Sequence, residues 1–113
     1  MKHVILESPY AGKDSRERAR NVAYARKCLR HSLLCGESPL ASHLLYTQPG
    51  VLNDGDEADR HVGLEAGWAW YERADLCVVY ADYGVSQGMF DGMNRASKFG
   101  VKVEFRYILK CHL

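Results

Sequence analysis

The chain has 113 residues, of which 47% are hydrophobic and 26% charged, and its formal net charge at pH 7 is +1. This composition is typical of one folded domain spanning residues 1–113 and excludes a disordered tail. A charge this close to zero argues against a nucleic-acid polymer as partner. No apolar run approaches the ~20 residues of a membrane span, and no signal peptide precedes the apolar Val4–Leu6, so we expect a cytoplasmic protein with no membrane partner.

The four cysteines do not predict a metal or redox site. Cys28, Cys35, Cys77 and Cys111 form no Cys-x-x-Cys pair, and no histidine stands beside them at the spacing of metal ligands. We therefore expect buried thiols, no bound metal and no cofactor.

The first third of the chain predicts a strand, a turn and a long helix. An apolar strand over His3–Ser8 runs into the turn Pro9–Gly12, and a helix follows from about Ser15 to Leu34. The arginines between positions 16 and 30 predict a solvated helix face, with a phosphate-binding surface as the alternative.

The middle of the chain has weaker signals. A short strand is predicted over Pro39–Ser42, followed by a long loop from His43 to Gly55, of a length that is usually functional or mobile. A helix over about Glu57–Arg73 carries an apolar stripe on one face, formed by Val62, Ala66, Ala69 and Trp70. Because a domain of this size has a modest core, we expect that stripe to pair two copies into a homodimer or higher homo-oligomer.

The last third predicts strand, turn and helix again. The apolar run at Leu76–Tyr80 leads into a Gly/Ser turn over Gly84–Gly88, a helix starts at Ser86 and stops at Gly100, and a final strand covers Val101–Tyr107. Such alternation indicates an α/β fold: a single small Rossmann-like domain of flavodoxin-like strand order, with about four parallel strands flanked by helices.

In such a sheet the ligand lies where the strand order reverses, at the carboxyl ends of the strands. Three loops, Ser8–Gly12, Ser42–His43 and Asp82–Gly88, should converge there, and the free N–H groups of the helix that follows the third loop attract phosphate or ribose oxygens. The predicted ligand-binding residues are Ser8, Pro9, Tyr10, Ala11, Gly12, Ser42, Glu65, Gly84, Ser86, Gly88 and Met89.

Seven segments follow one another along almost the whole chain: Glu7–Gly12, Asn21–Ala25, Ser42–Gln48, Gly63–Glu65, Ala74–Asp75, Gly84–Met89 and Gly100–Arg106. In this order they resemble the nucleoside 2-deoxyribosyltransferase-like superfamily, and within it a small subgroup common in phage and bacterial genomes. The resemblance implies a pocket for a nucleoside or nucleotide. In the enzymes of the superfamily it also implies cleavage or transfer at the N-glycosidic bond.

Breaking the N-glycosidic bond leaves a cation-like sugar as the base departs. The reaction therefore requires a carboxylate beneath the sugar and a polar group near the base. In the enzymes a glutamate stands four residues after the glycine of the Ser/Gly turn. In this chain the turn glycine is Gly88, and the position four residues later is occupied by Gly92. The predicted catalytic residues are therefore Asp82 and Asp91 as carboxylates and His43 as an acid or positioning group. Glu65 and Glu7 are the next candidates. If the wild type is inert and Gly92→Glu gains base release, the protein is a binder that has lost its nucleophile.

Each candidate also has a structural interpretation. Asp82 could make only loop hydrogen bonds, His43 could be a structural histidine, and Ser86 could be only a helix cap. Tyr10 could cover the sheet edge rather than a ligand, and Glu65 could be an ordinary exposed helix residue.

Three functions follow from these alternatives. The first is an N-glycosidase or deoxyribosyl-transfer enzyme. The second is a non-catalytic protein that senses or sequesters a nucleotide signal, which the subgroup's phage distribution connects with phage counter-defence in an infected bacterium. The third is a protein-interaction module, which would leave the Gly/Ser loop unexplained.

Overall fold

Residues 1–109 are described by a computed structural model, in which four strands alternate with helices. The strands are β1 (His3–Glu7), β2 (Ser38–Leu40), β3 (Leu76–Tyr80) and β4 (Lys102–Arg106). The α-helices are α1 (Ser15–Leu34), α2 (Ser42–Leu45), α3 (Glu57–Ala69) and α4 (Gln87–Lys98), and a 3-10 helix (Trp70–Arg73) extends α3. Cys111, predicted to be a buried thiol, lies outside the described residues.

The strands form one parallel sheet in the order β2-β1-β3-β4. This order confirms the predicted four-stranded Rossmann-like α/β fold. Since the chain moves outward from β1 to β2 and then crosses to β3 on the other side, the strand order reverses at β1. The carboxyl ends of β1 and β3 therefore border the crevice in which such folds hold ligands.

Two apolar layers enclose the sheet, because successive side chains of β1 and β3 point to opposite faces. On one face, Val4 and Leu6 pack with Tyr24 and Cys28 of α1. On the other face, the members of the core are Ile5, Tyr71, Cys77, Val79, Ala81, Met89 and Ala96. This second layer brings the 3-10 helix and α4 together beneath the carboxyl end of β1.

The largest departures from the predicted elements lie between β2 and β3. The predicted strand Pro39–Ser42 ends at Leu40, and Ser42 begins the short helix α2 where a loop was expected. The carbonyl of Ala41 accepts hydrogen bonds from the N–H groups of Leu44 and Leu45, which closes this turn of helix. The predicted helix over residues 57–73 tightens to a 3-10 helix at Trp70.

The expected burial of the thiols holds for Cys28 and Cys77, whereas Cys35 is exposed as the C-cap residue of α1. None of the helices within residues 1–109 is both long enough and apolar enough to cross a membrane.

Candidate functional site

A cavity of about 460 Å³ lies at the carboxyl ends of β1 and β3. It is lined by the loop after β1 (Ser8–Gly12), by Ser42 and His43 of α2, and by Ser86, Gly88 and Met89 at the start of α4. The structure thus brings together the three predicted loops. The inner face of α3 forms a further wall with Gly63, Leu64, Gly67 and Trp68, whereas the sequence predicted only Glu65 of this helix in the site.

Glu7, the last residue of β1, reaches the cavity with its carboxyl group. Its Oε2 accepts a hydrogen bond from the hydroxyl of Tyr71, which belongs to the 3-10 helix and also lines the cavity. Burial raises the pKa of Glu7 to about 7, the hydrogen bond from Tyr71 lowers it in part, and the nearby charge of Asp91 raises it further. The Glu7 carboxyl group therefore changes its charge near neutral pH.

Gly92, the position where the resemblance places a glutamate, faces the same carboxyl group from α4. A Cβ atom built on Gly92 would lie 2.6 Å from Cδ of Glu7 and 2.8 Å from the hydroxyl oxygen of Tyr71. Both distances are too short for unbonded atoms in a packed interior. The Glu7 side chain therefore occupies the space that a side chain at position 92 would need.

His43 and Ser8 form a hydrogen-bonded pair on the cavity wall, with His43 Nε2 2.8 Å from Ser8 Oγ. Burial lowers the pKa of His43 to about 4, so the ring is neutral at pH 7. The ring of Tyr10 meets it edge-on at a centroid distance of 6.3 Å. In this state His43 can donate or accept a hydrogen bond, but it is a poor proton donor at neutral pH.

The N-terminus of α4 forms another part of the wall. The Ser86 side chain caps the helix by accepting a hydrogen bond from the N–H of Met89 at 3.3 Å. Gln87 and Gly88 also line the cavity, and the first turn of the helix carries no acidic residue. Free N–H groups at this helix end favour negatively charged or oxygen-rich ligand groups.

The remaining cavity wall is mixed in charge and rich in aromatic side chains. Glu17, Asp54 and Asp59 contribute acids, and Arg20 and Arg60 contribute bases. The guanidinium carbon of Arg20 lies 3.8 Å from the centroid of the Tyr83 ring, on which the guanidinium stacks. The aromatic side chains of the wall are Tyr10, Tyr46, Trp68, Tyr71 and Tyr83.

Four predicted site residues do not line this cavity: Asp82, Asp91, Glu65 and Gly84. The carboxylate of Asp82 accepts hydrogen bonds from the Tyr24 hydroxyl and from the N–H groups of Ile108 and Leu109, so it ties α1 to the segment after β4. Burial acts to raise the pKa of Asp82, but these hydrogen bonds outweigh it and hold the pKa below its usual range. Asp82 thus makes the loop hydrogen bonds of its structural interpretation and does not line the cavity.

The other three residues are also displaced from the cavity for local reasons. Asp91 accepts a hydrogen bond from the side chain of Gln87 at 2.9 Å, one turn earlier on α4. Glu65 lies on the exposed side of α3 beside His61, at 3.3 Å. Gly84 has a φ of +88° and serves the turn after β3, where this angle favours glycine.

Two residues were undervalued by the sequence analysis. Glu7 is the last residue of an apolar strand, and an acid at the carboxyl end of a buried strand was a usable signal because such positions meet the ligand crevice. Tyr71 had no usable signal, since its position depends on the 3-10 helix that follows α3. Among residues 1–109, no group of three or more His, Cys, Asp and Glu side chains is arranged to hold a metal ion.

Comparison with known proteins identifies a family and a fold. Residues 2–106 match the model of a family described as "Domain of unknown function (DUF7768)". No curated protein matches the sequence. A solved structure of a 2-deoxyribosyltransferase from the psychrotolerant bacterium Bacillus psychrosaccharolyticus is similar, with a TM-score of 0.62 and 16% identity over 98% of this chain and 77% of that chain. At this level of identity the similarity establishes the fold.

Proposed function

This chain belongs to the DUF7768 family, and we propose that it binds a nucleoside or nucleotide in the cavity and acts on its N-glycosidic bond. The observation that carries the proposal is the make-up of the cavity, which joins a helix N-terminus, aromatic side chains and carboxyl groups at the point where the strand order reverses. Its volume of about 460 Å³ lies within the range of ~300–1,000 Å³ that is usual for small-molecule sites. The shared fold with a 2-deoxyribosyltransferase supports the same ligand class.

The parts of a nucleoside match the chemistry of different walls. Peptide N–H groups at the start of α4, with Ser86 as cap, suit a phosphate or the sugar hydroxyls. The aromatic side chains, including Tyr10 and Trp68, offer flat apolar surfaces to the base. The neutral His43–Ser8 pair can exchange hydrogen bonds with a base or sugar without adding charge.

Bond cleavage requires that positive charge on the sugar be stabilised as the base departs. Carboxyl groups line the cavity, and the site therefore holds the negative charge that this reaction needs. In hydrolysis, one nucleoside and one water molecule give the free base and the sugar. In transfer, a second base takes the place of water.

A thermal-shift screen with 2′-deoxynucleosides, ribonucleosides and their 5′-monophosphates tests the proposal, followed by chromatography of each stabilising mixture for released base. We expect stabilisation by at least one compound that carries an intact N-glycosidic bond, and release of its base. Stabilisation by none of them, together with no released base, would contradict the function.

A non-catalytic binding protein is the second candidate, as a sensor or a trap for a nucleotide signal. It is favoured by Gly92, since α4 carries no carboxylate at the position implied by the resemblance. Stabilisation by a nucleotide that remains intact after prolonged incubation would select this candidate over the enzyme.

A further inference from the structure

We propose that Glu7 is the catalytic carboxylate of this site, and that it reaches the sugar from β1 through the space left free by glycine at position 92. The inference rests on the proposed function, because a carboxylate beneath the sugar is needed only if the N-glycosidic bond is broken. It replaces Asp82 and Asp91 in that role, since neither lines the cavity.

The first support for this role is the close approach of Glu7 to position 92. Gly92 is buried in α4, and any side chain there would meet the carboxyl group of Glu7 and the hydroxyl of Tyr71. The two positions therefore compete for one volume at the end of β1. In this chain the carboxyl group that occupies this volume comes from the strand.

The other cavity carboxyl groups are less suited to the role. Glu17 and Asp59 stand in the first turns of α1 and α3, and each accepts a hydrogen bond from a nearby backbone N–H. Asp54 lies on the loop before α3. Glu7 is the carboxyl group on the sheet itself, at the strand where the order reverses and where ligands of this fold class bind.

Tyr71 fixes the orientation of this carboxyl group. Its hydroxyl donates to Oε2 of Glu7, and the ring is 1% exposed, so the contact is rigidly supported. Oε1 accepts no hydrogen bond from any residue within positions 1–109. One carboxyl oxygen is therefore held by the protein and the other is available to a ligand, which makes Tyr71 a positioning residue.

The surroundings of Glu7 strengthen its interaction with a positive sugar. Burial is the main cause of its high pKa, so the ionised carboxylate is poorly solvated. A cation that develops beside a poorly solvated anion is stabilised more than it would be in water. The gain appears in the transition state, where the sugar carries its charge, rather than in the bound substrate.

The reaction balances with water as the only co-reactant. The bond between C1′ and the base nitrogen breaks, and its electron pair leaves with the base while ionised Glu7 faces the positive C1′. Water adds to C1′ and loses a proton, and the base nitrogen gains one. The products are the free base and the sugar, and Glu7 ends the cycle in its starting state.

The test compares Glu7→Gln with Glu72→Gln, using 2′-deoxynucleosides and their 5′-monophosphates as probes. Glu72 is exposed on the same 3-10 helix as Tyr71, so it provides the same chemical change outside the site. We expect Glu7→Gln to lower base release by ~100-fold or more, the usual loss when one stabilising group is removed, with thermal stabilisation by the probe retained. Glu72→Gln should release base at the wild-type rate.

The pH dependence of base release tests whether Tyr71 positions the Glu7 carboxyl group or only supports the fold. In the wild type, base release should rise with pH as Glu7 ionises, with its midpoint near neutrality. Tyr71→Phe removes the hydrogen bond that lowers the pKa of Glu7, so its midpoint should move to higher pH while release persists at the alkaline end. Glu7→Asp keeps the carboxylate and should retain part of the base-release activity. This variant provides the test if Glu7→Gln folds poorly.

The outcomes distinguish this inference from the proposed function. Base release that survives at the wild-type rate in folded Glu7→Gln would overturn the role of Glu7 and leave the function intact. Wild-type protein that is stabilised by a probe without releasing base would also overturn it, in favour of a binding protein. Wild-type protein that neither binds nor cleaves any probe would overturn the function itself.

Discussion

At the scale of single residues, the site depends on a carboxyl group that is buried where water solvates it poorly. The pKa of Glu7 is raised by burial from 4.5 in the unfolded chain to about 7 in the folded protein. The folded state therefore binds the proton more tightly, and the stability it gains is present below pH 4.5 and is lost as the pH rises through 7. The ionised Glu7 carboxylate thus weakens the fold at alkaline pH.

Glu7→Gln should remove this pH dependence. The amide keeps the size of the side chain and can still accept from Tyr71, so we expect little change in stability at pH 4 and a gain of up to ~3 kcal/mol at pH 8. Chemical denaturation of both proteins at the two pH values measures the difference. The pKa of His43, lowered by burial to about 4, makes both proteins lose stability as the pH falls below 6.5, and this contribution cancels in the comparison. If the wild type and Glu7→Gln differed in unfolding free energy by the same amount at pH 4 and pH 8, Glu7 would not be desolvated.

The exclusion between positions 7 and 92 can be measured by a double-mutant cycle. Replacing glycine by alanine in a helix interior usually stabilises the helix by ~1 kcal/mol. In Gly92→Ala, however, the added methyl group would overlap Glu7. We expect it to destabilise the wild type by ~1–3 kcal/mol, the usual cost of overpacking, and by clearly less in a Glu7→Ala background. Identical costs in both backgrounds would contradict the shared volume. The same overlap means that Gly92→Glu alone should not supply a working nucleophile.

At the scale of elements, the sequence predicted the types and order of the main strands and helices because their apolar periodicity is strong. It could not predict α2 or the change to a 3-10 helix at Trp70, since both depend on a few backbone hydrogen bonds rather than on periodicity. For the same reason the sequence indicated the three loops of the cavity but not the contact between Tyr71 and Glu7. That contact joins residues 64 positions apart, and no local pattern encodes it.

The start of α4 gives the prediction at this scale. Ser86→Ala removes the cap on the N–H of Met89 and should lower stability by ~1 kcal/mol. Because Ser86 also lines the cavity, ligand affinity should fall further than this loss of stability explains. Isothermal titration with a probe nucleoside 5′-monophosphate, beside denaturation of the same variant, checks both quantities. Unchanged affinity would remove this helix end from the binding site.

At the scale of the whole molecule, α3 has an unusual distribution of side chains. Gly67 is its single buried residue, whereas Val62 is 56% exposed and the neighbouring Ala66 and Ala69 are also exposed. These three residues share one outward stripe at helical spacing. Trp68 turns toward the cavity, whereas Trp70 is 46% exposed and donates a hydrogen bond to the hydroxyl of Tyr46.

The outward stripe supports the prediction of a homo-oligomer, with α3 as the contact. Val62→Glu would place a charge at the centre of this contact and should convert the protein to monomers, while the cavity-facing side of α3 stays unchanged. Multi-angle light scattering at tens of micromolar compares the variant with Glu57→Gln, a change at the exposed start of the same helix. A wild-type protein that is strictly monomeric at this concentration would contradict the prediction.

A crystal structure of Glu7→Gln with a stabilising nucleoside tests the central claim most directly, because the substitution prevents turnover and keeps the shape of the site. We predict that the sugar lies at the carboxyl end of β1, with C1′ ~3–3.5 Å from a side-chain oxygen or nitrogen of position 7, the usual distance between reacting groups in a productive complex. The base should lie among the aromatic side chains of the wall. A nucleoside bound with C1′ remote from position 7, or bound outside this cavity, would contradict the account.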